Sequence, residues 1–155
     1  MNSSWEKYRR LSSGERRDLV RGFVLIPWAV AFVNLFGVKP WKRAAPENAA
    51  LNNIAGKAES EQLNEARTAA GMIEAASRNG IVRGNCLSKS VALWWLLRHK
   101  SIDAELQIGA RKAGGGLEAH AWVELNGKIL NDADDVRESF AAFDGPMTSR
   151  AAARK

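Results

Sequence analysis

The chain has 155 residues, which suits one domain, or one domain with a short appendage, and allows roughly 70% of the unfolded surface to be buried without staples. Apolar residues at 46% and charged residues at 26% are ordinary globular values and exclude wholesale disorder. Lys and Arg number 23 against 17 acids, a net charge of +6, which fits a basic surface that meets an acidic partner and supports nucleic-acid binding only weakly, since no recognised motif accompanies it.

In chain order, the first basic stretch (Lys7, Arg9, Arg10, Arg16, Arg17) is interrupted by Glu15 and Asp18. The apolar run after it starts too late for a signal peptide and has no small-residue cleavage site. Ser12-Ser13-Gly14-Glu15 carries the Ser-x-x-Glu spacing of a capping box, so a helix is expected from about Ser13. From Leu19 to Val38 that helix is apolar almost all round, with Arg21 and Asn34 as exceptions. The length would span a membrane. Arg21, the internal Pro27 and basic residues at both ends favour a buried or partner-covered helix instead.

Residues 39–59 read as a loose, Ala-rich stretch with Pro40, Pro46 and Gly56. A second helix is expected from Ser60 to Ser77, where Leu63, Ala66, Ala70, Ile73 and Ala76 recur at three- and four-residue steps before Asn79-Gly80 stops it. A third should follow the N-cap Asn85 and run to about His99, burying Leu87, Val91, Trp94 and Leu97. The period then changes to two. Strands are expected at Ala104–Ala110, Ala119–Leu125 and Lys128–Asp132, with a glycine-rich loop at 113–116 and a turn at Asn126-Gly127. The tail beyond Met147 is small and basic. The expected division is an N-terminal helical segment at 1–59, a core at 60–147 and a tail at 148–155 within one compact unit.

The chain holds one cysteine, Cys86, and two histidines. No internal disulfide is possible, a thiolate zinc site has too few ligands, and neither metal nor cofactor is expected. A lone cysteine suits a reducing compartment. Cys86 falls at the first helical position, where free amides and the helix dipole favour the nucleophilic thiolate, although free cysteines are also common as small core residues. His120 shares one strand face with Trp122 and Glu124, while Ala119, Ala121, Val123 and Leu125 form the other; a plain surface histidine is the bland alternative.

A two-residue turn at Asn126-Gly127 would set Asp132 opposite Ala121, on the wrong face for His120. A three-residue loop, Leu125-Asn126-Gly127, pairs Glu124 with Lys128, Val123 with Ile129 and His120 with Asp132, and is favoured for those pairings. Cys86, His120 and Asp132 then form a catalytic set: Cys86 attacks a carbonyl carbon, His120 takes and returns the proton, and Asp132 orients the imidazole. If Asp132 lies on the other face, Asp134 or Glu124 becomes the candidate orienter.

The segment Gly84-Asn85-Cys86-Leu87-Ser88-Lys89-Ser90, with Ala92-Leu93-Trp94-Trp95-Leu96-Leu97-Arg98, resembles the cysteine motif of the transglutaminase-like leader peptidases of lasso-peptide biosynthesis. Leu106-Gln107-Ile108-Gly109, Ala119-His120-Ala121-Trp122-Val123-Glu124 and Asn131-Asp132 resemble the next two motifs, so the likeness covers roughly residues 13–135. It implies an α+β fold of transglutaminase-like or papain-like type, with the cysteine helix packed on an antiparallel sheet that carries His and Asp. It implies a cytoplasmic bacterial cysteine peptidase with Cys86, His120 and Asp132 as triad. Its substrate would be the leader of a precursor peptide. Its partners would be a separate winged-helix leader-binding protein, for which there is no room before Ser13, and an ATP-dependent macrolactam cyclase. An acyltransferase on the same triad and a non-catalytic binding module are the rival readings.

Overall fold

The structure, a computed structural model, describes residues 9–37 and 58–142. The loose stretch expected before the second helix lies outside these up to residue 57, as does the C-terminal tail. The first helix, α1, spans Ser13–Phe36. Ser12 caps it: its hydroxyl accepts from the Glu15 amide, and the Glu15 carboxylate accepts from the Ser12 amide at 2.7 Å, the reciprocal box expected from the spacing. The helix runs through Pro27, which removes one ladder bond.

Helix α2 spans Glu59–Asn79 and α3 spans Cys86–His99, each within two residues of expectation. The three helices pack on one another. Leu25, Ile26 and Ala29 of α1 are buried against Ala66, Ala69, Ile73 and Ala76 of α2 and against α3. The small side chains of α2 let the helix axes approach closely. Helix α3 is buried almost all round: Ala92, Leu93 and Leu96 are covered along with the expected Val91, Trp94 and Leu97, while Leu87 is half-buried. Ion pairs lock the far end of the bundle. The Lys100 ammonium reaches Asp18 at 2.8 Å and Glu65 at 3.1 Å, and Arg98 pairs with Asp103 at 2.9 Å.

Among the described residues, Glu105–Ala113 (β1), Gly116–Leu125 (β2), Lys128–Ile129 (β3) and Ala141–Ala142 (β4) form one antiparallel sheet in the order β3-β2-β1-β4. A short helix, α4, spans Val136–Ser139 before β4. The architecture is therefore α+β, with the sheet packed on the cysteine helix.

Three local expectations are corrected. The β1–β2 hairpin is longer than its periodicity indicated, and its tip, residues 111–119, is exposed, Ala119 included. The face of β2 assigned to polar residues is buried: Trp122 lies under Ile129, Val136 and Phe140, supplied by β3, α4 and the segment before β4. The β2–β3 register is also different. Glu124 pairs with Ile129 and Leu125 with Lys128, so the loop has two residues, not three. Asn126 (φ 49°) and Gly127 (φ 77°) are both left-handed, the conformation of a type I′ turn, whose twist matches the strands. Lys128 thus faces Leu125, and the partner of Glu124 is Arg137.

Candidate active site

Cys86 opens α3, and its side chain is half-buried. Asn85 caps the helix, its Oδ1 accepting from the Ser88 amide at 2.8 Å and from the Ser88 hydroxyl at 2.9 Å. The Lys89 amide returns to the Asn85 carbonyl at 3.0 Å. Among the described residues the amides of Cys86 and Leu87 have no acceptor, the usual state of the first helical turn.

Helix α3 packs directly on β2, which carries His120. The imidazole Nε2 is hydrogen-bonded to Asp132 Oδ2. The other carboxylate oxygen, Oδ1, accepts from the Ala133 amide at 2.8 Å, which fixes the plane of the carboxylate. The His120 and Asp132 side chains are 23% and 27% exposed, so the pair is open to a ligand at one edge. Phe140 stacks on the imidazole with ring centres 4.9 Å apart, and Trp122 lies 6.4 Å away at 25°. The Arg111 guanidinium sits over the Phe140 ring at 4.6 Å.

Trp122 is held by a brace. Its indole N–H donates to Glu124 Oε1 at 2.6 Å. Arg137 grips the same carboxylate with Nε and Nη2, and donates to the Gly127 carbonyl at 2.9 Å. Burial pushes the Glu124 carboxyl up, but the hydrogen bonds from Arg137 and Trp122 outweigh it and leave its pKa below the usual value. Gly109 allows this layering: a Cβ there would come within 3.0 Å of Trp122 and 3.1 Å of Phe140.

Asp132 reaches His120 despite the two-residue turn. The ladder ends early: the Leu130 amide donates to the Val123 carbonyl at 2.9 Å, but the Val123 amide turns to Asn131 Oδ1 at 2.8 Å. In a hydrogen-bonded antiparallel pair it would go to the carbonyl of Leu130. The Asn131 side chain takes that place, the chain bends away at 130–132, and strand alternation no longer governs where Asp132 points. Asp134 and Glu124 are therefore not needed as orienters.

Beside Asp132, a cavity of about 460 Å³ lies between α2, α3 and the bend, lined by Arg67, Ile73, Glu74, Lys89, Leu130 and Asn131 among others. Lys89 is paired with Glu74 at 2.9 Å. Among the described residues no three His, Cys, Asp or Glu side chains cluster as they would for a metal ion. Sequence reasoning missed Phe140, Arg111 and Arg137, which come from segments without a periodic pattern. It also missed the roles of Ser90 and Asn131. The asparagine stands next to Asp132 in the motif, and its polar side chain at an expected strand position was the available signal.

The sequence model of the transglutaminase-like superfamily matches residues 28–143. The chain belongs to the transglutaminase-like superfamily. It is also 38% identical over 63 residues to the Microcin J25-processing protein McjB of Escherichia coli, a stretch that makes up 41% of this chain and 29% of that protein. The match thus spans less than a third of that relative. No solved structure matches the chain.

Proposed function

We propose that this member of the superfamily is a cysteine peptidase that removes the leader from a ribosomally made lasso-peptide precursor. One observation carries the reading: His120, on a sheet packed against the helix that begins with the chain's single cysteine, is hydrogen-bonded to Asp132 from the bend after β3. The likeness to a protein named for processing a microcin supplies the substrate class.

In this reading Nδ1 of His120, the ring nitrogen not used by Asp132, takes the Cys86 proton. The sulfur attacks the scissile carbonyl carbon. The oxyanion accepts hydrogen bonds from the amides of Cys86 and Leu87. Collapse breaks the C–N bond as His120 protonates the leaving amine, and water then hydrolyses the thioester to the leader acid. The amine released is the one a later macrolactam closure consumes, so an ATP-dependent cyclase acts next. Asp132 keeps Nε2 protonated and the ring oriented. The cavity beside Asp132 gives room for a substrate residue on that side. A separate winged-helix leader-binding protein delivers the precursor.

Mass spectrometry of the precursor after reaction tests this. Two fragments whose masses sum to the precursor plus water are expected with the native protein and absent with Cys86→Ala. A crosslinked or amine-substituted product without cleavage would replace the peptidase reading with acyl transfer. An unchanged peptide in the presence of the leader-binding protein would leave only a binding role.

A further inference from the structure

Catalysis as proposed needs the thiol and the imidazole in register, yet they lie on different elements: Cys86 on α3, His120 on β2, and Asp132 on the bend after β3. One buried hydroxyl touches all three. Ser90 follows Cys86 by one helical turn, a rise of about 6 Å, and so lies on the same face of α3. It is fully buried, at 0% exposure. Its Oγ donates to the carbonyl of Ala121, the residue after His120, at 2.8 Å. The same oxygen accepts from Nδ2 of Asn131, the residue before Asp132, at 2.9 Å. Asn131 in turn accepts from the Val123 amide through Oδ1 at 2.8 Å.

These roles leave no freedom in the bridge. The Val123 amide can only donate, so the Asn131 oxygen must face it and the Asn131 NH₂ must face Ser90. Ser90 must then spend its own proton on the Ala121 carbonyl. The hydroxyl is thus the joint between the cysteine helix and the residues that flank both members of the His–Asp pair.

We infer that Ser90 and Asn131 are positioning residues that set the Cys86 thiol against His120. The inference rests on the peptidase reading for its purpose, but its geometry can be tested without cleavage. Loss of the Ser90 hydroxyl strands the Asn131 NH₂ and the Ala121 carbonyl in a buried site. Helix α3 and strand β2 are then free to shift against each other, and a misplacement of about 1 Å is enough to slow a reaction on the order of 100-fold.

Cys86 is the chain's one cysteine, so iodoacetamide labels a single site. The alkylation rate is measured from pH 5 to 9 in the full chain and in His120→Ala, and the difference defines the His120-dependent part. Ser90→Ala and Asn131→Ala should each reduce that part at least tenfold in protein that circular dichroism shows to be folded, and the double variant should be little worse than either. Ser90→Thr, which restores the hydroxyl, should recover most of it even where the added methyl lowers the melting temperature. Ile102→Val, a change in the helical core beyond the far end of α3 and away from the bridge, should lower stability and leave the profile unchanged. Equal His120 dependence in folded Ser90→Ala and in the parent would overturn the inference, as would a parent whose alkylation ignores His120. If the precursor is never cleaved but alkylation follows the expected pattern, the bridge stands and the peptidase reading falls.

Discussion

Asp132 meets Nε2 of His120 across a strand register that, continued, would have placed it opposite Ala121. The side chain of Asn131 makes this possible, by taking the Val123 amide and releasing the chain from the ladder one residue before the aspartate. A short strand followed by a side-chain-capped bend thus does what a longer strand in a different register was expected to do.

If the pair serves Cys86, Cys86→Ala should abolish leader removal and leave the fold intact, because only the nucleophile is lost. His120→Ala should do nearly the same, and the double variant should be little worse than either, since residues that act as one unit are not additive. Asp132→Asn should cost less than either, because the amide still occupies the place beside Nε2. Precursor cleavage followed by mass spectrometry reads all four, and normal cleavage by Cys86→Ala would end the peptidase assignment.

Gly127→Ala tests the turn. A φ of 77° is strained for any side chain with a Cβ. The substitution should cost about 1 kcal/mol and lower the melting temperature by roughly 3 °C, judged by thermal denaturation. An unchanged melting curve would mean that the loop is not held in the left-handed conformation.

Glu105 and Glu124 face each other across β1 and β2. Burial, then the charges of Glu124 and Asp103, raise the Glu105 carboxyl above its ordinary pKa. A raised carboxyl favours the folded state when protonated, and that contribution is lost as pH rises through the folded pKa. Glu105→Gln should therefore stabilise the protein at neutral pH by roughly 0.5 kcal/mol, the scale of a like-charge cross-strand pair. The gain should vanish below the ordinary glutamate range, where Glu105, with its raised pKa, is already protonated. Glu124 has the opposite sign: its lowered pKa contributes stability above the ordinary range that is lost on acidification. Urea titrations at neutral and acidic pH separate the two.

Helix α1 shows Val20, Val24, Trp28 and Leu35 to the outside, and only 28% of its most apolar stretch is buried. Exposed Arg17 and Arg21 lie along the same helix. In the proposed function this face receives the leader-binding protein with its acidic leader, and the chain alone should self-associate and cleave slowly. Adding that protein should raise cleavage many-fold by raising the local substrate concentration. Charge reversal at Arg16 and Arg17 should weaken the stimulation more at low salt than at high salt. Full activity on free precursor, unaffected by the partner, would point to a lipid-facing or self-covered helix.

Much of this was legible from residues alone, because it is governed by interactions a few positions apart. The Ser12–Glu15 box, the Asn85 cap, the stop at Gly80 and the three- and four-residue apolar spacing of α2 are local; α1 began at its box, and α2 and α3 began and ended within two residues of where these signals indicated. The candidate residues Cys86, His120 and Asp132 were equally visible as chemistry in a recognisable order. What only the tertiary structure decided is how His120 and Asp132 meet. Strand alternation applies only while the ladder lasts, and the Asn131 side chain that takes the Val123 amide also donates to Ser90, 41 residues away from it in the chain. The covers over His120 and Trp122, supplied by Phe140 and Arg137, are likewise long-range contacts made by segments too short for any periodicity to announce them.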